Sequence, residues 1–164
     1  MSISEKFFPL AELRDVLAAE RAKQRRIALA NGGFDLLHVG HVRYLREAKR
    51  LADILVVALN SDASLAALKG PERPIIGAEG RVMMISALSF VDYVTLFEEP
   101  TVDRVLQTLR PDLHCKGSDY SAETVPERET VLGYGGRIAI VGGDKVRSTS
   151  SIIAQIGSLE DEGA

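Results

Sequence analysis

The stretch Arg26-Ile-Ala-Leu-Ala-Asn31-Gly-Gly-Phe-Asp35-Leu-Leu-His38-Val-Gly40-His41 changes character halfway along. Arg26 to Asn31 is short and apolar without alternation, the pattern of a strand covered on both faces. Gly32-Gly33 predicts a tight loop. From His41 to Leu51, apolar Val42, Leu45, Ala48 and Leu51 recur at helical spacing. Strand, glycine loop and helix together form the opening unit of a parallel sheet with helical crossovers.

The same alternation runs down the chain. Strands are predicted at Asp53–Leu59, Val91–Leu96, Pro111–Cys115 and Arg137–Val141. Helices are predicted at Glu79–Phe90, at Thr101–Leu109 with Thr101 as N-cap, at Ala122–Leu132 and at Ser148–Ile156. Asn60–Gly77, rich in Gly and Pro, reads as a polar loop. Ahead of the first strand, Leu10 to Lys23 forms an amphipathic leader whose apolar stripe is expected to pack on a neighbouring domain or subunit. The expected divisions are a leader over 1–25, one α/β domain over 26–158 and a flexible acidic tail over 159–164.

At 164 residues the chain has the length of one domain. With 46% hydrophobic and 26% charged residues it has the balance of a globular protein, not of a disordered one. A net charge of −3 and 5% aromatics give neither the basic field nor the stacking platforms expected of a nucleic-acid binder. No apolar run reaches the roughly 20 residues of a membrane span, and the N-terminus lacks a secretion-signal pattern, so a cytoplasmic protein is expected. The single cysteine, Cys115, excludes an intrachain disulfide and reads as a strand residue of the core.

Three unusual segments each follow a predicted strand: Asn31 to His41, Lys116-Gly-Ser-Asp119-Tyr120, and Asp144-Lys-Val-Arg147-Ser148-Thr-Ser-Ser151. In an open parallel sheet, ligands bind beyond the C-terminal strand ends, so all three fall on the edge where a site belongs. His38 and His41 sit at a loop-to-helix junction, where free N–H groups favour a phosphate and imidazoles can donate to charge developing on it. Gly40 lets the backbone approach a ligand closely. Histidine pairs also serve as helix caps or metal ligands, although no third His or Cys completes a recognised metal pattern here. Ser148-Thr149-Ser150 suits either a helix cap or a phosphate cradle. His114, inside a strand, reads as structural. Lys69, Arg73 and Arg81 follow the second strand; Lys69 and Arg81 are better placed to reach over the site, and Arg73 reads as a surface charge.

Asn31-Gly-Gly-Phe-Asp-Leu-Leu-His38-Val-Gly-His41 and Ser148-Thr-Ser-Ser-Ile152 resemble the two signatures of the cytidylyltransferase-like nucleotidyltransferases. Leu-Asn60-Ser-Asp62, Leu-Lys69-Gly, Arg73-Pro74, Arg81 and Lys116-Gly-x-Asp119-Tyr120 extend the resemblance, from Leu10 to about Ile156, to the nucleotidyltransferase domain of ADP-heptose synthases. The resemblance implies a single Rossmann-like domain, a five-stranded parallel sheet of order 3-2-1-4-5 with helices on both faces. It implies in-line transfer of AMP from ATP to D-glycero-β-D-manno-heptose 1-phosphate, with Mg²⁺ on the triphosphate and no metal site of the protein's own. His38, His41, Lys69 and Arg81 become the catalytic set. Gly32, Gly33, Phe34, Asp35, Gly40, Lys116, Gly117, Asp119, Arg147, Ser148, Thr149 and Ser150 become nucleotide contacts, and Asn60, Asp62 and Lys69 acceptor contacts. A homodimer and a separate upstream sugar kinase are the expected partners. Gly33, where a larger residue is usual, and Arg147, where a small or apolar one is usual, bear on base choice. The alternatives are a glycerol-phosphate-type cytidylyltransferase using CTP and a nucleotide-binding regulator without turnover.

Overall fold

A computed structural model describes residues 4–143 and 148–161. Five parallel strands, β1 (Ile27–Gly32), β2 (Ile54–Asn60), β3 (Tyr93–Phe97), β4 (Leu113–Gly117) and β5 (Arg137–Val141), form one sheet in the order β3-β2-β1-β4-β5. The helices are α1 (Leu10–Ala22), α2 (Val39–Arg50), α3 (Asp62–Lys69), α4 (Ala78–Ser86), α5 (Asp103–Leu109), α6 (Arg128–Gly133) and α7 (Thr149–Asp161).

The unbroken apolar strands follow from burial on both faces. Along β1 and β2, Ala28, Ala30, Leu55, Val57 and Leu59 point to a core shared with Leu45 and Ala48 of α2 and Val82 and Ile85 of α4. The intervening Ile27, Leu29, Ile54, Val56 and Ala58 point to a second core with Leu13 and Leu17 of α1, Leu106 and Leu109 of α5, and Val131 of α6. A period of two is present, but it divides one apolar set between two layers.

The leader is part of this core. Leu13 and Leu17 are fully buried against the chain's own sheet, not against a neighbouring domain or subunit. The segment before α1 also covers the β3 edge: Phe8 N–H donates to the Val94 carbonyl at 3.0 Å and Val94 N–H to the Lys6 carbonyl at 2.8 Å. The expected loop at 60–77 contains α3, capped by Ser61, whose Oγ accepts from Ser64 N–H at 3.1 Å. The helix expected over 122–132 shortens to α6, and the cap of α5 is Val102, not Thr101. α7 runs into the segment expected as a tail, whose last three residues lie outside the described residues. None of the described helices is long and apolar enough to cross a membrane.

Candidate active site

β2 flanks β1 on one side and β5 flanks β4 on the other, so the connections leaving β1 and β4 diverge above their C-terminal ends. A cleft of about 320 Å³ opens there, between the β1–α2 loop, the end of α3, the segment after β4 and the start of α7.

His38 and His41 stand on its rim and cap α2 reciprocally. Gly40 N–H donates to His38 Nδ1 at 3.1 Å, and His38 N–H donates to His41 Nδ1 at 3.4 Å. Both rings thus accept a backbone N–H at Nδ1, which places the proton of each neutral ring on Nε2. The rings stack with centroids 3.8 Å apart. Burial first, then the neighbouring His38, push the His41 pKa down to about 4, against a hydrogen bond to the Leu36 carbonyl. His41 is therefore a neutral donor near pH 7, not a cation. The capping reading of the pair holds, and the caps orient rings that face the cleft.

Phe34 braces this pair from below. It is 5% exposed, lies edge-on to His41 at 5.0 Å and stacks with Tyr44 at 6.4 Å, on a backbone with φ of 47°. Gly33 lines the cleft beside Leu65: a Cβ there would stand 2.8 Å from Leu65 Cδ1, so Leu65 occupies the space that a larger residue at 33 would need. Asp35 also borders the cleft, but its carboxylate is committed elsewhere. Oδ1 accepts from Ile75 and Ile76 N–H, both at 2.9 Å, and Oδ2 accepts from Arg73 Nε at 2.6 Å. Burial pushes its pKa up, but these donors outweigh burial and hold it below the usual carboxylate value.

Of the other sequence-predicted residues, Gly40, Lys69, Gly117, Asp119, Ser148, Thr149 and Ser150 border the cleft. Lys69 closes α3, where a cation complements the carbonyl end of the helix. Ser148 serves as the helix cap, its Oγ accepting from Ser151 N–H at 3.1 Å. Thr149 Oγ1 donates to the Leu36 carbonyl at 3.4 Å, tying α7 to the histidine loop.

Several expected contacts lie elsewhere. Arg81 is fully buried beneath the site instead of reaching over it. Its Nε donates to the Ile76 carbonyl, Nη1 to the Gly33 and Asn60 carbonyls, and Nη2 to Asp62 Oδ1, at 2.7–2.9 Å. It braces the loops that carry Gly33 and Ile76. Asn60 and Asp62 belong to the same brace: Asn60 Nδ2 donates to Ser64 Oγ, Asp62 pairs with Arg81, and neither borders the cleft. Lys116 turns away to a buried ion pair, Nζ 3.3 Å from Glu127 Oε2, and lies 4.9 Å over the Tyr120 ring. Gly32 is the last residue of β1 and lies behind the lining, where a Cβ would meet the Phe34 ring at 3.1 Å. Arg147 lies outside the described residues.

Sequence reasoning passed over Arg43 and Tyr44 and took Arg73 for a surface charge, yet all three line the cleft. Tyr44 was hidden by its helical position; its hydroxyl donates to the Cys115 carbonyl at 2.7 Å, joining α2 to β4. Arg43 stands two residues past His41, a spacing that could have flagged it. His114, as expected, is structural: fully buried, with Nε2 3.0 Å from Asn31 Oδ1. Cys115 is a buried core residue whose thiol burial pushes up to about 12.

The sequence profile of the cytidylyltransferase-like family matches residues 29–152. The chain is 48% identical over 151 residues to bifunctional protein HldE of Syntrophotalea carbinolica, a match covering 92% of this chain and 31% of that protein. It is 44% identical over 138 residues to the protein of the same name from Caulobacter vibrioides, covering 84% and 29%. The chain thus spans about three tenths of the length of the curated relatives it matches. Among solved structures, the lipopolysaccharide core biosynthesis protein of Thermoplasma volcanium GSS1 superposes with a TM-score of 0.63 at 29% identity, over 74% of this chain and 99% of that one. The matched span begins inside β1, takes in both histidines and ends within α7, so the kinship covers the cleft and not only the sheet: the chain belongs to the cytidylyltransferase-like family of nucleotidyltransferases.

Proposed function

We propose that this cleft transfers AMP from ATP to D-glycero-β-D-manno-heptose 1-phosphate, releasing pyrophosphate and ADP-heptose for a lipopolysaccharide core or related surface glycan. The observation that carries this reading is the capped histidine pair at the start of α2, with both Nδ1 atoms held by backbone N–H groups at the rim of a cleft above the divergence of β1 and β4. The acceptor follows from the resemblance to ADP-heptose synthases.

In this reading a phosphate oxygen of the sugar 1-phosphate attacks the α-phosphorus of ATP in line. The new O–P bond forms as the bond to the β-phosphate bridging oxygen breaks, and pyrophosphate carries that electron pair away without a covalent enzyme intermediate. His38 donates through Nε2–H, and His41 through the Nε2–H that it shares with the Leu36 carbonyl, to the α-phosphate and the departing oxygens, where negative charge grows in the transition state. Lys69 supplies fixed positive charge. Gly117, Asp119 and Ser148–Ser150 hold the nucleotide. Mg²⁺ would enter with ATP as part of the substrate and would offset the negative charge of the triphosphate. Among the described residues no three His, Cys, Asp or Glu side chains gather to hold an ion, and the Asp35 carboxylate is already engaged.

The same reading makes the protein a cytoplasmic enzyme supplied by a sugar kinase, and a homodimer. Because the α1 stripe is buried within its own chain, the dimer uses another surface, and sedimentation equilibrium tests it. The activity is tested by pyrophosphate release across ATP, CTP and GTP against a panel of phosphorylated acceptors. Release with ATP and heptose 1-phosphate is the expected result. Release only with CTP and glycerol phosphate would replace it with the cytidylyl reading, and tight nucleotide binding with no release for any acceptor would replace it with a regulator.

A further inference from the structure

Arg73 looks like a solvated surface charge in the sequence, yet its side chain is only 17% exposed and borders the cleft. What holds it there is Asp35, 3% exposed, which grips the backbone at Ile75 and Ile76 and the Arg73 Nε together. Burying a carboxylate costs several kcal/mol unless it is fully hydrogen-bonded, so a carboxylate this well satisfied fixes the whole segment. Only Nε of Arg73 is used in that grip. Its two Nη groups have no hydrogen-bond partner among the described residues. A guanidinium anchored through Nε presents its remaining donors as a pre-set fork, the geometry that suits a phosphate.

The side of the cleft identifies the phosphate. In the sheet order β3-β2-β1-β4-β5, the proposed nucleotide contacts follow β4 and β5, whereas Arg73 and Lys69 come from the connection after β2. The histidine loop, after β1, lies between them. Resting on the transfer proposed above, we propose that Arg73 is the residue that receives the phosphate of the acceptor sugar, and that Asp35 is its positioning residue. The pair thereby selects a phosphorylated acceptor and aims its oxygen across the histidines at the nucleotide.

The test is steady-state kinetics of the wild type, Arg73→Gln, Asp35→Asn and the double variant, each substrate varied at saturation of the other. A lost charge-assisted phosphate contact should raise the acceptor KM about tenfold or more in Arg73→Gln, with the ATP KM within about twofold of wild type. Asp35→Asn should shift the acceptor KM in the same direction, and the double variant should be no worse than Arg73→Gln alone, since both act through one guanidinium. An unchanged acceptor KM, a shift in ATP KM instead, or additive losses would overturn the assignment. Arg73→Gln removes no backbone contact, so it reports even if Asp35→Asn folds poorly. If the wild type does not turn over heptose 1-phosphate, the activity reading has failed separately. Calorimetric titration with inorganic phosphate then decides on Arg73: binding lost in Arg73→Gln supports the assignment, and equal binding overturns it.

Discussion

Replacing His41 with alanine should separate catalysis from folding, because the ring has a different role in each. In the fold, it accepts the His38 N–H at a long 3.4 Å, stacks on His38 and meets the Phe34 ring edge-on at 5.0 Å. The primary α2 cap survives, since Gly40 N–H still donates to His38 Nδ1. Losing half of a capping box costs on the order of 1 kcal/mol, which for a domain of this size lowers Tm by about 2–4 °C. In the proposed transfer, the same ring supplies one donor to the transition state. Removing one such donor typically costs about 10²–10³ in kcat, or roughly 2.7–4 kcal/mol. Because the donor acts on charge that the ground state lacks, nucleotide affinity should change little. The assay is single-turnover and steady-state pyrophosphate release beside calorimetric ATP binding and a thermal melt. A kcat within about threefold of wild type, or a loss confined to ATP affinity, would refute the role assigned to His41.

Arg81→Met should leave the Gly33, Asn60 and Ile76 carbonyls without their donor beneath the site. Since breaking a buried hydrogen-bonded cation network costs about 3–5 kcal/mol, urea unfolding should show a loss of that order, and unchanged stability would contradict the brace. Acidification should also destabilise the protein through its buried neutral histidines. Burial lowers the pKa of His114 to about 3 and of His41 to about 4, against 6.5 for the free group. The unfolded chain therefore binds protons that the folded one refuses, and stability falls as pH drops from about 6.5 towards 4, by up to roughly 1.4 kcal/mol per pH unit for each histidine. Melts across that range in wild type and His114→Asn should show a shallower decline in the variant; parallel declines would rule out His114 as a source. The depressed value for His41 also predicts that this ring adds no inflection near 6.5 to kcat, and an inflection there that His41→Ala abolishes would overturn the neutral-donor assignment.

The sheet was legible because strands buried on two faces must be apolar throughout, and β1, β2 and their neighbours are. The edge carrying the site was legible for a related reason: glycines, histidines and hydroxyls cluster after strands where nothing in the core calls for them. The destiny of each charged side chain was not. Arg81 and Arg73 are equally basic and lie in adjacent segments, yet one is sealed beneath the loops by four acceptors and the other is held at the cleft by one carboxylate. That difference depends on which carbonyls the folded loops turn inward, and residue spacing does not carry it. Lys116 was misplaced for the same reason, its partner Glu127 lying beyond a loop. α3 escaped notice because Gly70, Pro71 and Pro74 follow it closely, although Ser61 marked its start. The leader's apolar stripe was read correctly, but a helical stripe says nothing about whether the surface covering it belongs to the same chain.

In the proposed reaction this cleft moves an adenylyl group onto a sugar 1-phosphate. ATP labelled at the α-phosphate, incubated with heptose 1-phosphate, Mg²⁺ and the protein, tests it most directly. Label should appear in a nucleotide sugar, formed in equal amount with unlabelled pyrophosphate and dependent on His38 and His41. Label that remains in ATP, while CTP labelled at the same position transfers its label to a phosphorylated polyol, would contradict it.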